Sequence, residues 1–262
     1  MTTLAANVST LFKEVPFLER FRQAREAGFG AVEAQFPYAF PPDDVARALR
    51  ESDLKLVLIN APAGDLEAGE RGLALEQGPR FEESIRLALD YARATACPRV
   101  HVLIGKTRSS LGRRAPTYVL ERLRSTAREF AGHGIELMLE ALNRHDQPGY
   151  ALPTLEAADA LRSAVGAGNV RLLFDAYHVQ RSGADVVATL ARFMPAIGHV
   201  QVSRVPDRSE PDPARVSALI ETLKRHGYGG FVGCEYNPRN GTASGLGWAR
   251  DYGIGTTCTN RK

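Results

Sequence analysis

Glu136-Leu137-Met138-Leu139-Glu140, Arg171-Leu172-Leu173-Phe174-Asp175, Ile197-Gly198-His199-Val200-Gln201 and Phe231-Val232-Gly233-Cys234-Glu235 decide the fold of this chain. Each is a short run of strand length that closes on Glu, Asp or Gln, and helical sequence separates one from the next. Strands alternating with helices build a parallel sheet. In a parallel sheet all strand C-termini lie on one side, so the four oxygen-bearing side chains converge there. Alternation along a strand then places Glu140 on one face with Met138 and Glu136, Asp175 with Leu173, Gln201 with His199, and Glu235 with Gly233. Cys234 turns outward as a packing thiol.

The same alternation extends to both sides. Upstream, strands are expected over 4–7, 31–34, 55–60 and 99–104, the third carrying Leu56-Val57-Leu58-Ile59 in a row, as a strand buried on both faces should. Between them lie helices over 15–27, stopped by Gly28, over 42–51, opened by Pro42-Asp43-Asp44, and over 81–96 and 117–133. Downstream helices fall over 154–165, 185–193 and 215–226. The count is eight strands with no linker or composition shift, which makes residues 1–252 one (β/α)8 TIM barrel. A doubly wound open sheet is the alternative, but its Gly-rich first turn is not found in Asn7-Val8-Ser9-Thr10. Residues 253–262 have little to pack and are expected to form a flexible tail.

The bulk numbers agree. A chain of 262 residues, 44% hydrophobic and 24% charged, matches the roughly 250 residues of a barrel. The net charge is +3, and the 33 Lys and Arg are dispersed without interleaved aromatics, which argues against nucleic acid. Cys97, Cys234 and Cys258 have no metal-ligand or CxxC spacing, so a reduced, cytoplasmic setting is expected. No apolar run reaches the length of a membrane span. A homo-oligomer is left open. Gly105-Lys106-Thr107 suggests a phosphate loop, but Val100 stands where the upstream glycine of a Walker motif is needed, so that reading is rejected. The connection over 61–78 is unusually long for a compact domain, and such connections are usually functional.

Oxygen donors without thiolate favour a hard cation, Mg2+ or Mn2+, over zinc. A lone carboxylate at a strand end is as often a helix cap or ion-pair partner as a ligand. Four oxygen donors with inward parity are harder to explain so, because three acids in one funnel repel strongly without a cation. Glu140, Asp175, Gln201 and Glu235 are therefore the candidate metal ligands. His178, three residues beyond Asp175, has three roles open to it: ligation, orienting Asp175, or substrate contact, which is favoured. His199 and His101 read as satisfied core histidines, and His133 and His226 as helix C-terminal residues. His145, in the loop after Glu140, is a candidate substrate contact.

Ala5-Ala6-Asn7-Val8-Ser9, Phe36-Pro37-Tyr38, Ala63-Gly64-Asp65 followed by Gly69-Glu70-Arg71-Gly72, Phe174-Asp175 with His178, His199-Val200-Gln201 and Gly233-Cys234-Glu235-Tyr236 together resemble the hydroxypyruvate isomerase family. That family includes 2-oxo-tetronate isomerases and belongs to the xylose isomerase-like TIM barrels. The resemblance covers residues 4 to 252. It implies the same four metal ligands, with Glu140 and Glu235 as the two acid/base residues of an isomerase acting on a small hydroxy-oxo acid. The substrate carboxylate needs a cationic partner, for which Arg71 and Arg208 are favoured over Lys106; Glu70 is a further candidate contact in the long loop. The expected reaction interconverts hydroxypyruvate and tartronate semialdehyde. The alternatives are the same isomerisation of a 2-oxo-tetronate, a sugar 3-epimerase, a metal-dependent endonuclease and a non-enzymatic sugar-acid sensor.

Overall fold

Eight parallel strands close on themselves in chain order, β1 pairing with β2 and so on round to β8, which returns to β1. The computed structural model describes residues 3–255. The chain runs β1 (Thr3–Asn7), α1 (Glu19–Glu26), β2 (Ala31–Ala34), α2 (Pro42–Glu51), β3 (Lys55–Asn60), α3 (Arg80–Ala94), β4 (Arg99–His101) and α4 (Thr117–Ala131). It continues through β5 (Glu136–Glu140), α5 (Leu155–Val165), β6 (Val170–Asp175), α6 (Ala176–Arg181), α7 (Val186–Phe193), β7 (Ile197–Val202), α8 (Pro213–Arg225), β8 (Phe231–Cys234) and α9 (Thr242–Gly245). The (β/α)8 barrel expected from the sequence is the fold. Among the described residues no helix is long and apolar enough to cross a membrane.

Helices α5, α7 and α8 start where a side chain caps them. Thr154 accepts from the Ala157 N–H, Asp185 from Ala188, and Asp212 from both Ala214 and Arg215. Asp175 does the same for the short helix α6, which sequence periodicity did not reveal: its carboxylate accepts from the Tyr177 N–H at 2.9 Å. Two expected elements are shorter than their apolar runs. Strand β4 stops at His101 because Ile104 turns away to bridge Gly72 of the long loop in antiparallel fashion. Helix α1 begins at Glu19, and Phe17 ahead of it instead stacks on Phe40.

Most of the core lies between the strands and the surrounding helices, where Phe21, Phe130, Phe174, Leu123 and Leu139 are fully buried. Inside the barrel the apolar filling is slight. Ala5, Ala31 and Val57 form one small cluster, and Leu58, Met138 and Leu173 another. Above these the interior is polar, with Asn7, Glu33, His101, His199 and Gln201 all buried. The inward parity expected for Met138, Leu173 and His199 is met.

The connection from Ala61 to Gly78 is folded back on the barrel. Gly72, at φ 113°, packs so tightly against Leu103 and Gly105 that a Cβ there would overlap their backbone. Arg80 pairs with Glu70 and Glu76 at 2.8 Å each, and Arg122 reaches the carbonyls of Glu76 and Gly78. Of the segment expected to be a flexible tail, Ile254 is buried and the Gly255 N–H donates to the Ala27 carbonyl. The rest of that expectation, 256–262, lies outside the described residues.

Phe174 faces the helix layer from the strand that carries Asp175. Truncating it by Phe174→Ala should cost about 3–5 kcal/mol of stability. Urea unfolding followed by circular dichroism measures this, and a loss below 1 kcal/mol would show that the layer repacks freely.

Candidate active site

The strand ends meet as their parity requires. Glu140 closes β5, Asp175 closes β6, Gln201 is the last residue but one of β7, and Glu235 follows β8 directly. Glu140, Gln201 and Glu235 line a cavity of about 490 Å³ at the C-terminal mouth of the barrel, together with His178, Arg208, Asn60, Tyr177 and Asn237. Asp175 lies just beneath, covered by Arg208. The guanidinium of Arg208 donates to Asp175 Oδ2 at 2.6 Å and to Glu235 Oε1 at 2.5 Å. It also stacks on the Tyr177 ring, 4.3 Å from the centroid.

Crowding governs the electrostatics. Burial, and after it the charges of Asp175 and Glu235, push the Glu140 carboxyl well above its ordinary range. Burial also raises Glu235, to about 7, although Arg208 beside it acts in the opposite direction. His101 lies 3.6 Å below Glu140 Oε2, and burial lowers its pKa to about 3, keeping the ring neutral. These are acids that need either a proton or a cation.

His178 is held in one tautomer. The backbone N–H of Asn143 donates to its Nδ1 at 3.1 Å, and Asn143 Nδ2 lies 2.7 Å from the same atom. The Asn143 amide cannot be turned round, because its oxygen accepts from the Asp146 N–H and its nitrogen donates to Asp146 Oδ2. Burial lowers the imidazole pKa to about 4, so the ring is neutral and carries its one proton on Nε2. That nitrogen faces Asp175 Oδ2 at 3.7 Å and Glu140 Oε1 at 3.9 Å. Glu140, Asp175 and His178 do offer ligand atoms within 4.8 Å of one another. With its proton inward, His178 presents a donor to this cluster, where the carboxylates lie beyond hydrogen-bond distance and Arg208 Nη2 stands 2.8 Å from the same nitrogen.

A second polar layer supports the first. Glu33, at the inner face of β2, accepts from Gln201 Nε2 at 2.8 Å, from Asn7 Nδ2 at 3.1 Å and from His199 Nε2.

Residues 21–252 match the family model described as xylose isomerase-like TIM barrel. The 2-oxo-tetronate isomerase of Cupriavidus necator is 39% identical over 257 residues, covering 96% of this chain and 99% of its own. The hydroxypyruvate isomerase of Escherichia coli is 35% identical, covering 96% of this chain and 100% of its own. The crystal structure of AP endonuclease, family 2 from Brucella melitensis has a TM-score of 0.91 at 44% identity, over 96% of this chain and 99% of that one. The chain belongs to the hydroxypyruvate isomerase family. It is therefore an isomerase built on a xylose isomerase-like barrel.

Within this isomerase the expected residues separate into two groups. Glu140, Asp175, Gln201, Glu235, His178 and Arg208 come together, and Arg71 reaches the rim, where its guanidinium donates to the carbonyls of Leu66 and Glu70. Three others are not brought in. Glu70 is a strut of the long loop, its carboxylate taken by Arg80 and the Asp65 N–H, which hold its pKa down to about 2. Lys106 is exposed beside Gly69, away from the cavity lining, because its strand has already ended at His101. His145 is exposed, and its neighbours Asp146 and Gln147 reach the cavity instead. Glu33, Asn143 and Tyr177 escaped sequence reasoning. Only Glu33 left a signal there: a lone acid within the apolar strand Ala31-Val32-Glu33-Ala34.

The donor set fits a hard divalent cation. Beside the three carboxylates, Gln201 Oε1 is buried and has no hydrogen-bond partner, as an amide oxygen awaiting a ligand would be. Protons and a cation compete for the same carboxylates. An acid with a raised pKa favours the fold while protonated; that contribution is complete below the ordinary carboxylate range and is lost as pH rises through about 7 for Glu235. A cation held by these carboxylates would supply the missing charge at high pH. The rise in Tm produced by Mn2+ over chelator should therefore be larger, by at least about 2–4 °C, near pH 8 than near pH 5.5. His101 and His178 titrate only in the unfolded chain, equally with and without metal, so they cancel from this difference. An equal Tm shift at both pH values would exclude these carboxylates as the ligands.

Proposed function

We propose that this isomerase interconverts hydroxypyruvate and tartronate semialdehyde (2-hydroxy-3-oxopropanoate) in a metal-dependent proton transfer. The observation that carries the reading is a pair of buried glutamates, Glu140 and Glu235, facing one small cavity in which Arg208 and the Nε2–H of His178 supply donors. Glu140, Asp175, Gln201 and Glu235 are the residues that would hold Mg2+ or Mn2+. When bound, such an ion polarises the substrate's neighbouring oxygens and offsets the charge that develops on them.

The chain's own residues move the protons. One of the two glutamates removes a proton from the carbon bearing the hydroxyl, leaving an enediolate. It or the other returns a proton to the adjacent carbon, while the hydroxyl proton passes to the former carbonyl oxygen. One C–H and one O–H change places, and no oxidant or reductant takes part. Arg208 Nη2 lies 2.8 Å from His178 Nε2, which sets donor against donor. An anionic substrate oxygen accepting from both relieves that opposition, so this is where the substrate carboxylate or enediolate oxygen is expected. Arg71 at the rim is the second cationic candidate.

The same chemistry on a four-carbon acid is the second reading. The 39% identity to a 2-oxo-tetronate isomerase favours it as much as the hydroxypyruvate isomerase relative favours the first. A nuclease role is less favoured. A phosphodiester backbone would meet the carboxylates of Glu140, Glu235, Asp146 and Asp207 around this mouth.

Proton NMR of hydroxypyruvate in D2O, with Mn2+ or Mg2+ against chelator, tests the reaction. Metal-dependent appearance of tartronate semialdehyde carrying solvent deuterium is expected; reaction of a 2-oxo-tetronate alone would move the substrate and keep the mechanism. Glu140→Gln and Glu235→Gln should each lower turnover by about 10²–10⁴-fold with unchanged circular dichroism. Near-normal turnover in either purified variant would remove that glutamate from the mechanism.

A further inference from the structure

Glu33 is 1% exposed and sits inside the barrel, below the candidate ligands and apart from the cavity lining. It is a carboxylate held by side chains of the barrel strands alone: Asn7 from β1, and His199 and Gln201 from β7. A glycine makes room for it. Gly233 on β8 has the inward parity of Glu235, and a Cβ there would overlap both carboxylate oxygens of Glu33. The strand register sets Gly233 directly beside Gln201.

We propose that Glu33 is a positioning residue: it fixes the Gln201 amide with its oxygen aimed into the active site, and Gly233 leaves out a side chain so that Glu33 can reach it. The two ends of a glutamine amide are nearly the same size, so packing alone does not choose between them. Hydrogen bonding does. Glu33 Oε2 already accepts from Asn7 Nδ2, whose own amide is fixed because its oxygen accepts from the Ser9 N–H, so the NH2 end of Gln201 must face it. The oxygen is left at the opposite end, and it is the buried atom without a partner. Turned the other way, the amide would present N–H donors to a cation and oppose one oxygen with two. A carboxylate at position 201 would need no such choice, but it would stand against Glu33 where the present separation is 2.8 Å. The neutral residue at 201 and the acid at 33 are thus two halves of one arrangement. Partners outside a ligand shell commonly change metal affinity in this way. The inference rests on Gln201 being a ligand, as the proposed function has it.

Mn2+ titration by calorimetry of the full-length protein tests it, with melting in chelator as the measure of folding. E33Q should weaken Mn2+ binding about 10–100-fold, because the introduced amide can face Gln201 with either end. Combining E33Q with Q201E should bring affinity back to within about 3-fold of the parent, since the new carboxylate presents an oxygen either way and accepts from the amide at 33. Q201E alone, carboxylate against carboxylate, should not match the combined variant. Gly233→Ala displaces Glu33 without altering any hydrogen-bonding side chain; it should weaken Mn2+ as E33Q does, and it serves if E33Q does not fold. Unchanged Mn2+ affinity in E33Q, or a combined variant no better than E33Q, would overturn the positioning role and leave Glu33 as a core partner of His199. Q201A separates the two ideas: if it binds Mn2+ like the parent, Gln201 is not a ligand and the ligand set itself fails.

Discussion

Like charges forced together at the mouth of the barrel are the constraint on which the rest of this structure depends. Carboxylates from β5, β6 and the end of β8 crowd together there, Glu140 and Glu235 on the cavity wall and Asp175 just beneath, and burial raises both glutamates. No arrangement of apolar neighbours relieves that repulsion; it needs positive charge or protons. Arg208 supplies part of it, bridging Asp175 and Glu235. A divalent ion would take the same oxygens, since the other oxygen of Asp175 is committed to the Tyr177 N–H. The charge that organises the site and the charge that substrate needs are thus drawn from one small group of atoms.

The barrel interior is layered to make that possible. Two small apolar clusters fill the lower part, one of alanines and a valine from the first three strands and one of Leu58, Met138 and Leu173. Next come His101, kept neutral by burial, and the Glu33 network, in which each hydrogen bond restricts what the layer above can present. Buried polar groups of this kind are costly when half satisfied and specify one geometry when satisfied. His178 illustrates the second outcome: two donors from Asn143 hold its Nδ1 as an acceptor and turn Nε2 toward the carboxylates. The geometry at the rim therefore depends on residues such as Glu33 and Asn143 that do not line the cavity.

The long connection after β3 serves the same mouth from outside. Its acids Glu70 and Glu76 pair with Arg80 at the start of α3, and Arg122 of α4 holds its backbone carbonyls. Gly72 lets it approach β4 closely enough to pair with Ile104. Arg71 is carried to the rim by that fold of the loop, and Glu70 is turned away from it.

Strand number, order, the closed (β/α)8 barrel and the positions of the four oxygen-bearing strand ends were all legible in the sequence. Period-two alternation and strand-helix alternation are local properties, and a parallel barrel has only one place to put strand C-termini. Lys106, Glu70 and His145 were misplaced because loop side chains answer to tertiary partners, not to periodicity. Glu33 was passed over because a single acid in a short strand has many uses until its neighbours are known. The sequence by itself determined which side chains reach the mouth of the barrel, because backbone parity dictates it. Only the tertiary structure decided what each does there: the Gln201 orientation, the His178 tautomer and the Arg208 bridge are set by hydrogen-bond partners far away in the chain, brought within 3 Å or so only when the barrel closes.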